Sequence, residues 1–521
     1  MKKSVLFLTV VLTTLNSYSQ APAIEWKKTI GGPNDEQASQ LIQTTDGGFI
    51  TAGSSSSITS NFSDNHGQYD YSIIKMNALG VVEWQKCYGG TASDFAKSIQ
   101  QTSDGGYIVA GITTSNDGDV SGNHGGFDYW VIKLDASGTI VWQKAIGGSQ
   151  DDSATNIRQT SDGGYILAGL SDSNDGDHLP TTGNNDKWIV KLNATGDIEW
   201  QKSFYTGTGT TVKGVLIEVT ADGGYIVGCE NLSTVGVTVG TTTTFYPDYN
   251  VIKLNSLGET VWQKSFGGLH TENLNDIKQT ADLGYIIIGT SFSNDGDVSG
   301  HHGGTGTTGN SDYWVVKLNA AGDIVWQKSL GGNFNEIGNS IQQTSDGNYI
   351  LTGSATSNSG DVSGNHGNID YWVVRLSYLG DILWQKCLGG SNQDFATSII
   401  QSQDNGYALL GKSLSSNGDV SQNFGNFDFW IVKLAEDLLS NEEFQQEVLL
   451  VYPNPVSSSL MVQLPNNALI QKIIITDVTG KVVVQQTQNT TQVMTENLSN
   501  GIYFIEAFDG NNTYKSKFIK Q

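Results

Sequence analysis

Short apolar runs separated by Gly-, Asn-, Asp- and Ser-rich turns fill most of the chain, a pattern that favours many short strands over long helices. One stretch shows the unit. Residues 97–102, KSIQQT, read as a first strand, A, and the turn SDGG after it is an Asp-Gly hairpin signal. Residues 107–111, YIVAG, form strand B, and a long loop leads to strand C at residues 129–134, YWVIKL. The turn DASG follows, and residues 139–146, TIVWQKAI, form strand D. Strand C is apolar on both faces, with Trp130, Ile132 and Leu134 on one and Tyr129 and Val131 on the other. A sheet covered on both sides reads this way.

The unit repeats. Trp26, Trp84, Trp142, Trp200, Trp262, Trp326 and Trp384 mark strand D at intervals of 58, 58, 58, 62, 64 and 58 residues. A second anchor begins strand C at Asp70, Asp128, Asp186, Asp248, Asp312, Asp370 and Asp428, and all twelve tryptophans fall in these two anchors. Such a period marks a repeat architecture, and four-stranded sheets packed face to face around an axis make a propeller. The seventh unit has strands A to C but no D, while residues 24–30, IEWKKTI, are a D strand with nothing before it. Pairing the two completes the ring and removes open sheet edges. The expected fold is all-β: a seven-bladed β-propeller over residues 21–434, closed by its N-terminal strand and followed by a small C-terminal β-sandwich.

The ends carry targeting information. Lys2-Lys3, the apolar residues 5–15 and Ser17-Tyr18-Ser19 predict a secretory signal peptide over residues 1–20. Its apolar part is too short to cross a bilayer, and no transmembrane segment is expected elsewhere. Residues 435–448 are acidic and read as a linker. Residues 449–521 alternate strands with Gly and Asn turns. They carry Tyr452-Pro453-Asn454-Pro455, the hairpin DVTGK at 477–481, Gly501-Ile502-Tyr503, and Lys515, Lys517 and Lys520 near the end. This set resembles the type A C-terminal sorting domain of the type IX secretion system. The resemblance implies Sec export, recognition by the type IX machinery, removal of the domain, and a cargo released or attached to the cell surface. The repeats themselves resemble those of secreted propeller proteins.

Composition narrows the partners. Net charge is −24, with 28 Lys and Arg against 52 Asp and Glu, so nucleic acid is not an expected partner. Glycans, surface proteins and cations remain compatible with it. Cys87 and Cys387 occupy a slot that elsewhere holds small residues such as Ala145 and Ser203, so packed free thiols are expected rather than disulfides.

Alternating strand direction puts the B–C and D–A loops on one face and the A–B and C–D turns on the other. The first face varies in length, chiefly in units 4 and 5, and variable loops on a rigid scaffold usually carry binding. Three candidate sets lie there. Glu230, Phe245, Tyr246, His302 and Lys213 could form a ligand site, with the aromatic rings stacking on a sugar. Glu36, Asp94, Asp152, Glu272, Glu336 and Asp394 precede strand A and could form an acidic ring at the channel mouth. Asp117/Asp119, Asp175/Asp177 and Asp295/Asp297 offer oxygen ligands of the kind Ca²⁺ takes, although Asx-turns account for the same pattern without metal. The equivalent His66, His124, His302 and His366 diverge around a ring and read as loop-fixing residues. No catalytic set stands out. The favoured reading is a secreted or cell-surface binding or adhesion protein, and the alternative is a polysaccharide-acting enzyme on the same scaffold.

Overall fold

The computed structural model describes residues 20–58, 62–179, 186–204, 214–233, 236–239, 242–304, 309–437, 449–464, 469–478, 481–487, 491–509 and 513–521. The chain divides into two compact units, Met1–Asp437 and Leu438–Gln521.

Among the described residues, the first unit contains seven four-stranded antiparallel sheets and one two-stranded hairpin, Val237–Val239 with Thr242–Thr244. The second blade is typical, with strands Asp94–Gln101, Tyr107–Thr113, Asp128–Leu134 and Ile140–Ile146 in spatial order A-B-C-D. Strand C of this blade is buried throughout and strand B nearly so, while D is half-exposed at the rim. Strands A contact each other from blade to blade around the whole ring. They line a central cavity of about 380 Å³.

The last blade takes its fourth strand from the other end of the chain. Ile24–Ile30 pairs antiparallel with Asp428–Leu434, Trp26 opposite Lys433 and Ile30 opposite Phe429. The ring is thus closed by main-chain hydrogen bonds, and the closing strand buries Ile30 against Phe49, Ile74 and Phe429.

Aromatic side chains join one blade to the next. Tyr71 of strand C packs on Trp130 of the next blade with ring centroids 4.5 Å apart, and its hydroxyl donates to the Trp130 carbonyl at 2.9 Å. Tyr371 and Trp430 repeat this at 4.6 Å and 3.0 Å. The strand-D tryptophans lie at the outer edge, only half-buried except for Trp384, and each leans on strand B of the following blade, as Trp84 does on Tyr107 at 6.1 Å. Each such pair adds about 1 kcal/mol beyond its area. The tilted indole also explains the glycine of the C–D turn: a Cβ at Gly138, where φ is +75°, would lie 2.9 Å from Trp84 Cη2.

The Gln of the Trp-Gln-Lys motif accepts from the buried strand-C indole. Trp130 Nε1 donates to Gln143 at 2.9 Å, and Trp314 to Gln327 at 2.8 Å. In the closing strand this slot is Lys27, and the buried Trp430 Nε1 has no hydrogen-bond partner among the described residues.

Buried cations stitch each blade internally. Lys133, 5% exposed, bonds Asp104 of the A–B turn at 2.9 Å and its neighbour's carbonyl, Leu134 O, at 3.0 Å. Lys75, Lys191, Lys253, Lys317, Arg375 and Lys433 make the equivalent pair in the other blades. The strand-C Lys is thus a cross-link to its own turn.

The second unit packs two sheets around Leu460, Val462, Ile473, Ile475, Ile505 and Phe518. One is Leu450–Tyr452, Ser459–Gln463 and Gln492–Met494. The other runs Val482–Thr487, Lys472–Asp477, Gly501–Phe508, Thr513–Lys520. It is a small β-sandwich. Residues 1–19, which hold most of the expected signal peptide, lie outside the described residues.

Two predictions follow from closure. Deleting residues 21–30 strips strand Asp428–Leu434 of its outer neighbour and should lower the urea midpoint far more than removing ten residues elsewhere on the surface; equal midpoints would refute the closing role. Conversely, Lys27→Gln supplies the missing acceptor for Trp430 and should raise stability by about 1 kcal/mol, read by the same titration.

Candidate functional site

The B–C and D–A loops are held by a repeated set of buried acids. The first residue of strand A is wholly buried in six blades: Glu36, Asp94, Asp152, Glu272, Glu336 and Asp394. Its carboxylate accepts from the backbone N–H four residues earlier, as Gly90 N to Asp94 at 2.9 Å and Gly332 N to Glu336 at 2.8 Å. Serines of the B–C loop complete the shell, Ser115 to Asp94 at 2.9 Å and Ser173 to Asp152 at 2.8 Å. The expected acidic ring at the channel mouth is therefore not formed. These six carboxylates point into the blade interfaces, where they brace the Gly-Gly loop.

A second acid, the Asp that opens strand C, comes up beside each of them. The first Gly of the pair sits between: a Cβ at Gly89 would lie 2.6 Å from Asp94 Oδ2 and 2.7 Å from Asp70 Oδ1, so no side chain fits. The strand-C Asp also anchors the histidines. His66 donates its backbone N–H to Asp70 Oδ2 at 2.7 Å and places Nδ1 2.8 Å from the same oxygen. His124, His302 and His366 repeat this on Asp128, Asp312 and Asp370.

The loop Asp pairs are engaged in the same way. Asp117 Oδ1 accepts from Thr91 N at 2.8 Å, Asp175 Oδ1 from Ser149 N at 2.7 Å, and Asp295 Oδ1 from Leu269 N at 2.8 Å. Asp119, Asp177 and Asp297 face the first Gly of the pair, at 3.3, 3.3 and 3.2 Å from its N–H. Among the described residues no group of three or more His, Cys, Asp or Glu is placed to hold a metal. The pairs proposed for Ca²⁺ thus tie the B–C loop to the D–A loop.

The unit 4 and 5 cluster is dispersed. Glu230, 1% exposed, accepts from Leu274 N at 3.2 Å inside the blade interface. Tyr246 packs its ring on His270 at 5.6 Å, and His302 lies between Asp312 and Asp361, at 2.8 and 3.3 Å. Phe245 is 46% exposed beside the hairpin, and Lys213 lies outside the described residues. Glu230 and His302 belong to different interfaces and do not converge on the aromatic pair.

The central cavity holds a charged network that sequence reading missed. Arg158 forks onto Glu218 at 2.8 and 2.7 Å; Lys278 bonds the same carboxylate and also Asp276 at 3.0 Å. Burial pushes Glu218 up, but the two cations outweigh it and hold the carboxyl at about 2. The signal was available: one strand-A slot reads Gln100 and Gln342 in units 2 and 6 but Arg158, Glu218 and Lys278 in units 3 to 5.

The two kinds of Asp and Glu respond oppositely to pH. Burial raises Glu36, Glu272 and Glu336 to about 7, and Asp70 and Asp248 to about 6, against the hydrogen bonds that lower them. In the A–B turns burial also raises each Asp, but the Thr hydroxyl, the Lys or Arg and local amides win, and Asp46, Asp104, Asp162, Asp222, Asp282 and Asp346 sit at about 2. Raised acids keep their protons in the folded state, so stability falls as pH rises from about 4.5 to 7. Lowered acids stabilise above about pH 4 and lose that contribution toward pH 2. Thermal midpoints should therefore peak between about pH 4 and 5 and fall on both sides. Glu272→Gln should flatten the alkaline limb; a midpoint that rises steadily to pH 8 would contradict the assignment.

In the second unit the motif residues converge on the last strand. Asn454 Oδ1 accepts from Ile519 N at 2.9 Å, and its amide donates to Lys517 O at 3.2 Å. Gly501 lies opposite Lys520, and Tyr503 stacks on Phe518 at 5.6 Å while its hydroxyl donates to Ser499 O at 2.8 Å. Tyr452, Pro453 and Pro455 flank this anchor, and Tyr452 is 48% exposed.

Comparison with known proteins places these observations. The chain is similar to the regulatory protein FlaEY of Caulobacter vibrioides, 27% identical over 164 residues, which span 29% of this chain and 17% of that relative. In fold it is similar to the Neurospora crassa Pan2 WD40 domain, with 10% identity, a TM-score of 0.42, and 77% and 89% of the two chains covered. It is also similar to the plexin A4 extracellular region, with 10% identity, a TM-score of 0.45, and 94% and 67% covered. The fold itself rests on the hydrogen-bonded sheets described above. Residues 450–521 match the secretion system C-terminal sorting domain family, and with this domain the chain is exported by type IX secretion to the cell surface or beyond it.

Proposed function

We propose that the propeller is a binding or adhesion module that meets its ligand with the B–C and D–A face. The observation that supports this is the division of labour on that face. Its buried acids, serines and histidines are engaged by repeated loop bracing, so the loops form a stiff platform. What differs between blades includes exposed residues, such as Thr238, Thr243 and Thr244 of the hairpin and the neighbouring Phe245. A rigid scaffold with blade-specific surface suits recognition of a glycan or a surface protein. The reading includes the signal peptide over residues 1–20, the division of the chain at residues 434 and 449, and interaction of the sorting domain with the secretion machinery. A polysaccharide-acting enzyme fits less well. The raised acids Asp248 and Glu272 lie beside one another, yet Glu272 is fully buried and receives the Gly268 N–H at 2.9 Å.

All three native cysteines are buried, so an introduced surface thiol can be labelled selectively. The full chain should retain a subset of sugars on a glycan array. Gln422→Cys in a B–C loop, coupled to a large polyethylene glycol, should abolish retention. The same label on Leu79→Cys, 74% exposed in a C–D turn, should leave it intact. Equal effects of the two labels, or no retention at all, would refute the reading.

A further inference from the structure

The seven-fold pattern breaks at one place on the binding face without any change of loop length. The second residue of strand A is Gln37, Ser153, Asn273 and Ile337 in blades 1, 3, 5 and 6 but an aromatic, Phe95 or Phe395, in blades 2 and 7. The fourth, Ser39, Thr155 or Asn275 elsewhere, is Lys97 in blade 2. In strand B, the residue opposite Phe395 is Lys412, where Ser54 and Ser354 stand in blades 1 and 6.

These substitutions meet on one rim, where Lys97 lines the central cavity. Phe95 packs on Tyr69 at 4.8 Å, and Lys97 Nζ lies 5.7 Å from the Phe95 ring centroid. Phe395 packs on Phe427 at 5.8 Å, and Lys412 Nζ lies 4.4 Å from the Phe427 ring. Gln37 of blade 1 joins the two pairs, accepting from Lys412 at 2.7 Å. Asp35 also belongs to the cluster, held by Tyr69 Oη at 3.1 Å and by Gln37 Nε2.

Two features mark this rim as a site. Lys75, Lys133, Lys191, Lys253, Lys317 and Lys433, which cross-link strand C to its turn, are paired with carboxylates, but among the described residues neither Lys97 nor Lys412 is within ion-pair distance of one. In a chain of net charge −24 such a pair of cations is conspicuous. The surrounding walls push both ammonium groups below their usual range, and Lys412 adds to the effect on Lys97. Their present partners are aromatic faces, an Asp at longer range and a neutral amide, which an anion would outcompete. The four rings are half-buried and present apolar faces beside the cations.

We propose that this rim binds an anionic sugar chain. Lys97 and Lys412 take its carboxylate or sulfate groups, and Phe95, Phe395 and Phe427 receive the apolar faces of the sugar rings. The proposal rests on the propeller being a binding module and adds the charge of its ligand and its position over blades 7, 1 and 2.

The test is affinity electrophoresis of the full chain through gels containing polygalacturonate, dextran sulfate or dextran. Retardation by the first alone identifies carboxylate as the group recognised, and by the second alone sulfate; dextran should have no effect. The double variant Lys97→Gln/Lys412→Gln should bind at least about tenfold more weakly, a loss of about 1.4 kcal/mol. Phe95→Ala/Phe395→Ala should also weaken binding, while Lys144→Gln, on an outer strand, should not. An unchanged thermal midpoint confirms that the variants fold. The proposal fails if the double lysine variant binds like Lys144→Gln, or if neither polyanion retards the chain. In that last case, retention of neutral sugars on the array would leave the binding reading standing, and no retention would remove both.

Discussion

The structure depends on one pairing, that of Ile24–Ile30 with Asp428–Leu434. Every other blade is built from neighbours in the chain and could form locally. The ring cannot. Without the closing strand, the last sheet would present unpaired N–H and C=O groups at its outer edge, and the inter-blade aromatic contacts would end in an open seam. The pairing is reinforced by Lys433 Nζ to Glu25 at 3.1 Å, the same buried lysine that holds Asp404 at 2.9 Å. The same link of strand C to both its turn and strand D recurs through Lys75 with Glu83 and Lys191 with Glu199.

Around that constraint, the interior uses buried charge in two opposite ways. On the A–B side, each lysine or arginine meets a turn aspartate, whose carboxyl is held below its usual range despite its burial. On the loop side, acid stands next to acid, and the shared neighbourhood favours the proton. Replacing either set by apolar groups would lose the loop geometry, because these side chains satisfy backbone amides that no strand partner can reach. The serines and the paired glycines follow from the same need: the serines supply donors, and the glycines let two carboxyls approach one stretch of main chain.

Much of this was legible before any coordinates. Trp spacing located all seven D strands, and the orphan strand at residues 24–30 implied closure, because a repeat that starts with its last piece has few other solutions. The same reasoning failed for the acids of strand A. A strand presents alternate residues to alternate sides, so a shift of one reverses every orientation. Asp94 and Ala96 turn inward while Phe95 and Lys97 lie on the other side, Lys97 lining the cavity, and a bulge between Ala96 and Ser98 resets the order further along. Nothing in the repeat indicated which parity held. The histidines were readable as loop-fixing residues, but the Asp they bond was not, since it seemed only to open strand C. Loop insertions drew attention to units 4 and 5. The Phe95, Lys97 and Lys412 substitutions leave the spacing untouched and sit inside strands, where no change of loop length marks them.

The closing pair joins residues 408 positions apart in Lys433 and Glu25. A contact so distant along the chain carries a large loop-closure entropy and comes late in folding. During synthesis the N-terminal strand must wait, unpaired, until residue 434 has emerged. The sorting domain begins soon after, at residue 450. A chain cut short before its export signal is complete is therefore also one whose ring has scarcely had time to shut, so maturation of the cargo and readiness of its address label are kept in step by the order of residues alone.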